Sequence, residues 1–338
     1  SISSTTRDGF SKNVVTGQDL DDDNNKSFRT DWMFDLNDTS SLRVFGQYFK
    51  VDRNGAAMRG IDDQNSNMRK LSQDTVSQHE LSSMVAAAIY ESDLGYANLK
   101  IIASVQEDDV LVVRDNDRHN YLDPVLSIEG LPAGSTYQRA EFTPETSLVD
   151  TSTFEINLVS NEPALNGKLD WTVGAFYMDH EIENVIRGYR DDDLDGRIKY
   201  LCGESFADPS YCYEHDYGIP GRFDIFEPIA EVDFFTDSNP GRESYSVYAQ
   251  TTYSLSDAFR IISGLRYSED TFTTDVTNFL NVESFQEEGT TDEITSRVVA
   301  EVDFSEDIMG YFALSKGFKP GGSNLTFGFD DDNAPPMV

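Results

Sequence analysis

Short turns and long polar connections alternate along this chain, and the segments between them alternate apolar and polar side chains residue by residue. The clearest segment puts Tyr245, Val247, Ala249, Thr251, Tyr253 and Leu255 on one face. Ser244, Ser246, Tyr248, Gln250, Thr252 and Ser254 lie on the other. Successive side chains of a strand point to opposite faces, so this segment is a strand with one apolar and one polar face. Phe28, Thr30, Trp32, Phe34 and Leu36 alternate in the same way with Arg29, Asp31, Met33 and Asp35. Leu169, Trp171, Val173, Ala175 and Tyr177 repeat the pattern, as do Val298, Ala300, Val302 and Phe304. The segment 81–90 is ambiguous, because its run Ala86-Ala87-Ala88 suits a helix as well as a strand.

The strands pair through short turns at 36–41, 91–95, 255–258 and 304–307, and through a slightly longer turn at 161–168. Between the pairs lie polar connections at about 53–75, 114–148, 188–240, 276–289 and 318–338. Strict alternation puts every short turn at one end of the sheet and every long connection at the other. Barrels of the bacterial outer membrane have this asymmetry, with short periplasmic turns and long extracellular loops. Strands of about ten residues or more suit a tilted crossing of a bilayer. A soluble sandwich uses shorter strands with turns every 8–12 residues or so. Phe28, Tyr48, Tyr90, Tyr177, Tyr245, Tyr253 and Tyr267 recur near strand ends, where interfacial girdles are needed. The expectation is an all-β, antiparallel transmembrane β-barrel. With a first strand near 2–8 the chain holds about eleven strands, an odd number that suggests part of a barrel.

Composition narrows the function. Lys and Arg total 26 against 61 Asp and Glu, a net charge of −35, which repels nucleic acid. Lipid-facing and lumen-facing residues alternate in a barrel, so low hydropathy does not exclude a membrane. The chain contains no apolar run of about 18 residues that could form a membrane helix. Ser1 to Thr6 lacks the basic and apolar regions of a secretory signal, which reads as an internal or processed segment. Cys202 and Cys212 flank a polar stretch and are expected to form a disulfide in an oxidising compartment. Asp191, Asp193 and Asp195 before Gly196 have the spacing of a calcium loop, but Cys202 stands where that loop needs a bidentate Glu. A solvated acidic loop and a weak Ca²⁺ site are both consistent with that pattern. No other cofactor is indicated.

The segment 308–324 carries a family resemblance. Tyr311, Ser315, Gly317, Phe318, Lys319, Gly321, Gly322 and Asn324 resemble a motif of TonB-dependent receptors, written approximately Y-A-S-x-S-x-G-(F/Y)-K-x-G-G-x-N. Phe312 and Ala313 depart from it in spacing or type. The strands at 169–177 and 261–268 are also similar to barrel strands of that family. The resemblance implies that residues 1–338 are part of a 22-stranded barrel, without the plug domain and the C-terminal strands. It further implies residence in the bacterial outer membrane, and capture of a scarce ligand such as a ferric siderophore, a vitamin or an oligosaccharide. Import would be energised through the TonB–ExbB–ExbD complex. Independently of the family, glycines at 317–322 suit a turn with positive φ.

No catalytic constellation emerges, and the chain is read as a transport protein rather than an enzyme. His79, His119, His180 and His215 are widely separated, and the zinc-protease-like start at His180-Glu181 lacks its second His at Asn184. No G-x-S-x-G is present. Ligand contacts are expected in the loops near 114–148 and 188–240, from Tyr189, Tyr200, Phe206, Tyr211, Tyr213 and Phe223. The same residues could instead pack the loop on itself. Arg29, Asp31, Asp35, Lys100, Gln106, Glu155, Arg260, Arg266 and Glu301 are expected to line the lumen. A passive porin-like channel is the alternative, and a secreted Ca²⁺-binding β-sandwich a more distant one.

Overall fold

The computed structural model describes residues 1–61, 63, 65–116, 118, 120, 140–191, 231–278 and 285–322. In chain order the strands are β1 (Ile2–Arg7), β2 (Ser11–Asn13), β3 (Asp19–Leu20), β4 (Asp23–Asn37) and β5 (Ser40–Arg53). There follow β6 (Lys70–Leu71), β7 (Gln78–Asp93), β8 (Ala97–Asp115), β9 (Ala140–Ser160) and β10 (Leu169–Asp191). The last are β11 (Glu231–Ser238), β12 (Gly241–Ser256), β13 (Phe259–Asn278), β14 (Phe285–Ser305) and β15 (Ile308–Lys316). Twelve of these form one antiparallel sheet whose neighbours follow chain order, and β3, β2 and β6 form a separate small sheet.

β11 and β12 occupy one position in the wall. Glu181 opposes Gly241 and Asn184 opposes Ser238 in a single unbroken register on β10. Pro240, which has no N–H to donate, interrupts the ladder without shifting it, and its carbonyl accepts from the Ile182 N–H at 2.9 Å. The twelve strands therefore make eleven positions, matching the sequence expectation of about eleven.

The turns fall where local chemistry demands them. Asn37 Oδ1 accepts from the N–H and the hydroxyl of Thr39, each at 2.9 Å, and Asp93 Oδ1 accepts from the Gly95 N–H at 2.7 Å. Asn161 donates to Asp93 Oδ1 at 2.6 Å, tying neighbouring turns together. At the opposite end the strands run further than their hydrophobicity suggested. β9 starts at Ala140, β10 continues to Asp191, and β13 and β14 remain paired as far as Val276 and Phe285. About ten residues cross a bilayer, so the polar halves of strands 19 to 23 residues long rise beyond it, held by ladder hydrogen bonds and by cross-strand pairs such as Arg114–Glu145 and Arg187–Asp237. The 81–90 segment is strand, within β7, with Ala86 opposing Gly46 and Ala88 opposing Val44.

Cross-strand register makes the apolar positions one continuous surface. Phe28, Tyr48 and Met84 follow one another across β4, β5 and β7. Val173, Ala249 and Leu265 do the same across β10, β12 and β13. Trp32, Val247, Leu265, Phe312 and Leu314 on this face are each more than half exposed. On the other face Ser244, Ser246, Ser268 and Asp270 are buried, as expected for a sheet curled toward its polar side. Apolar outside and polar inside is the inverse of a soluble protein, and it fits a wall whose outer solvent is lipid.

Candidate ligand-binding surfaces

Several charges on the polar face are paired across neighbouring strands. Arg43 grips Asp31 with two hydrogen bonds, and Arg29 lies over the Phe45 ring, 4.5 Å from its centroid. Lys100 pairs with Glu91 at 2.9 Å. Arg260 donates to Glu301 and to Asp303, both at 2.9 Å. Each pair bridges adjacent strands. Such half-exposed pairs contribute little to stability singly; their main effect is to favour one register.

A deeper cluster sits on β9, β10 and β12. Tyr248 lies flat across Gly174, its cross-strand partner, and its hydroxyl is 2.8 Å from Glu155 Oε1. The Arg266 guanidinium covers the ring at 5.7 Å from its centroid. An added Cβ at Gly174 would lie 2.5 Å from the Tyr248 ring, so only glycine admits this arrangement.

All nine residues expected in the lumen fall on this face, since each has the parity of Arg29 and Asp31 in the register. The sequence reading put Tyr248 on the polar face without giving it a role, and did not include Arg43, Asn157 or Asp303. Their roles depend on partners in neighbouring strands, and no single strand's pattern reveals those partners.

The family-motif residues divide. Tyr311 and Ser315 stand on β15 opposite Glu301 and Arg297. Gly317, Phe318, Lys319, Gly321 and Gly322 then leave the edge and cross the polar face, where Arg242 donates to the Gly321 carbonyl at 2.7 Å. The expected positive-φ turn at these glycines is not what the structure has, for Gly317, Gly321 and Gly322 all keep negative or extended φ. A Cβ at Gly321 would sit 3.4 Å from Thr291 Oγ1 and 3.7 Å from Phe272, ordinary contact distances, so neither φ nor close approach explains the glycine there. Asn324 lies outside the described residues.

Of the expected loop contacts, Tyr189 and Asp191 belong to the backbone of β10. Tyr200, Phe206, Tyr211, Tyr213 and Phe223, with Asp193, Asp195, Cys202 and Cys212, lie outside the described residues. Among the described residues no cluster of three or more metal-ligating side chains occurs.

The structure adds a cap at the long-loop end. β2 pairs with β3 and, in parallel, with β6, which joins the connection 8–22 to the connection 54–77. Leu20, Leu71 and Asn13 form its small core at 0, 2 and 0% exposure. Asn13 donates to the Gln73 carbonyl at 2.9 Å, and Gln18 and Ser77 exchange two hydrogen bonds of 2.9 Å. Asp115, at the end of β8, accepts from the Thr75 N–H at 3.2 Å. A third connection is thereby tied to the cap. On its surface Phe10 lies between Arg69 and Arg7, whose guanidinium carbons are 4.4 and 5.2 Å from the ring centroid. In the sequence these connections are mainly polar, and their scattered apolar residues, Leu20 and Leu71 among them, carry no periodic signal.

Asp63 is the electrostatic pivot of the cap. Burial by itself raises its pKa, but N–H groups of Asn65 and Ser72 at 2.8 Å, with Arg59 nearby, hold it below the usual carboxylate range. A carboxyl with a lowered folded pKa stabilises above its unfolded pKa, and that stability disappears as pH falls through the folded value. The cap is therefore expected to loosen below about pH 4. Asp63→Ala should remove the acid step and open the cap at neutral pH, at a cost of about 1–3 kcal/mol. Hydrogen exchange of the Asn65 and Ser72 amides against pH reads both effects; exchange unchanged by the substitution would refute them.

Comparison with known proteins places this geometry. The family described as TonB dependent receptor-like, beta-barrel, matches residues 2–337. The ferric yersiniabactin uptake receptor FyuA from Yersinia pestis superposes with a TM-score of 0.67 at 15% identity, over 96% of this chain and 42% of its own. The ferric-catecholate import receptor Fiu from E. coli K12, in its open form, gives 0.56 at 9% identity, over 94% of this chain and 50% of its own. The siderophore receptor PiuA from Acinetobacter baumannii gives 0.52 at 14%, over 86% and 42%. The chain thus spans half or less of each of these receptors. No curated protein sequence matches.

Proposed function

Since the chain belongs to the family of TonB-dependent receptor β-barrels, we propose that it forms about half the barrel wall of an outer-membrane receptor that imports a ferric siderophore. The observation that carries this reading is the family match over residues 2–337, joined to an eleven-position wall that superposes on FyuA. A wall that is apolar outside and polar inside suits an outer-membrane barrel, and the family match is what favours a plugged lumen over an open one. In this reading a plug domain meets the polar face, TonB–ExbB–ExbD supplies the energy, and the long-loop end with its cap meets the ligand first. Nothing in the family's role calls for catalysis.

Uptake of radiolabelled ferric siderophore by iron-starved cells tests the proposal. Deleting the full gene should abolish uptake of one siderophore, restoring the gene should recover it, and deleting tonB should block it. Uptake that survives loss of tonB would identify a passive channel instead. Growth stimulation by an oligosaccharide or vitamin, with no effect on iron, would redirect the ligand and retain the transporter.

A further inference from the structure

The face that lines the lumen is not uniform. Across β5, β7 and β8 it is apolar at mid-height, with Phe45 opposite Ala87, Ile89 opposite Ile102, and Val85 beside them. Across β12, β13 and β14 it carries Gln250, Gly264 and Arg297 in one row and Tyr248, Arg266 and Thr295 in the next. Arg266 and Arg297 are therefore diagonal neighbours across β13 and β14, a separation of about 7–8 Å that long side chains bridge. Leu265 and Val298, adjacent to them in sequence, are exposed in the apolar band of the outer face. The arginines thus stand within the thickness of the bilayer, below the level of the long loops.

Neither arginine has a carboxylate. Among the described residues Arg297 makes no hydrogen bond or ion pair. Arg266 commits only its Nε–H, to the Ser268 hydroxyl at 3.0 Å, beside its contact with the Tyr248 ring. Arg43, Arg53, Arg114 and Arg260 on the same face each hold a carboxylate. Acids outnumber bases by 61 to 26 in this chain, so two neighbouring guanidiniums without one are an exception. The space beside them is open. A Cβ added at Gly264 would have only the Ala249 carbonyl within 4 Å, at 3.9 Å, and the small Ser315 opposes Arg297 on β15.

A guanidinium presents paired N–H donors that match two oxygens of a carboxylate or a catecholate. In a chain of net charge −35 such a pair is a local attraction for an anion in a field that otherwise repels it. The tightly packed core of a protein contact is apolar, which assigns the plug's seat to the β5–β8 side and leaves the arginine side to water and to what passes through it. Resting on the siderophore-import reading above, we propose that Arg266 and Arg297 form a way-station that holds an anionic ferric chelate partway through the lumen, after it has left the loops.

The test uses cells whose only siderophore receptor is the full-length protein, given radioiron as an anionic ferric tricatecholate or as an uncharged ferric trihydroxamate. The unaltered receptor should admit the tricatecholate. Arg297→Gln, alone or with Arg266→Gln, should lower its saturated rate of entry about tenfold or more, with surface binding in energy-poisoned cells unchanged. Lysine at both positions should recover entry in part, because the charge returns without the paired donors. Heat-modifiable migration in electrophoresis shows that each variant is folded, and Arg297→Gln breaks no contact in the wall, so it decides the matter if the double variant does not fold. An unchanged rate in folded Arg297→Gln would overturn the site. Surface binding that falls in step with entry would move the arginines to the outer binding site, and an equal loss of trihydroxamate entry would make them plug contacts; either overturns the way-station. Entry of the trihydroxamate alone would overturn the anionic ligand and leave siderophore import standing, whereas entry of neither chelate would overturn the siderophore reading and the site with it.

Discussion

Arginine at position 249 should destabilise the folded barrel by about 2–4 kcal/mol, whereas arginine at position 250 should leave it nearly unchanged. Ala249 is on the apolar face, midway between Tyr245 and Tyr253, with Val173 and Leu265 as its cross-strand neighbours. In a bilayer that position is close to the hydrocarbon centre, and a charge there has no water to solvate it. Gln250 is adjacent in sequence but points to the polar face, opposite Thr172 and Gly264. Urea titrations of the full-length receptor refolded into lipid vesicles give the two stabilities. Equal effects at the two positions would refute the inside–outside assignment on which the lumen reading rests.

Gly174→Val should be comparably severe, for a different reason. The new Cβ would meet the Tyr248 ring at 2.5 Å and Asn157 Oδ1 at 2.7 Å. Neither neighbour can give way cheaply, because Tyr248 is pinned by its contact with Glu155 and covered by Arg266. Overpacking at such a site costs about 1–3 kcal/mol, and separating the Tyr248 hydroxyl from Glu155 adds about 1 kcal/mol. Loss of the heat-modifiable folded band in electrophoresis, together with a lower urea midpoint, would report it. Gly174→Val with Tyr248→Ala should recover part of the loss by removing the obstructing ring. A double variant no better than the valine alone would show that the cost lies in the backbone of β10 and not in the ring.

These two expectations separate what one strand reveals from what its neighbours add. Ala249 could be assigned to the apolar face from the run 244–255 alone, because the two-residue period is a local property of extended backbone. The same rule placed Arg29, Lys100, Glu155, Arg260 and Glu301 on the polar face before any pairing was known. Gly174 was not legible in this way. Its significance comes from Tyr248, more than seventy positions away, and only register puts the two opposite each other.

Alternation, turn chemistry and the asymmetry of connection lengths determined by themselves that this chain is an antiparallel wall of about eleven strands with its apolar side outward. Each of these is written within a few neighbouring residues, where backbone geometry couples sequence directly to structure. Tertiary structure alone decided how far the strands continue past the bilayer, since the polar segments of β9, β10 and β14 are held by partners rather than by hydrophobicity. It also decided that the connections 8–22 and 54–77 fold into one cap, and that the glycines at 317–322 cross the polar face toward Arg242.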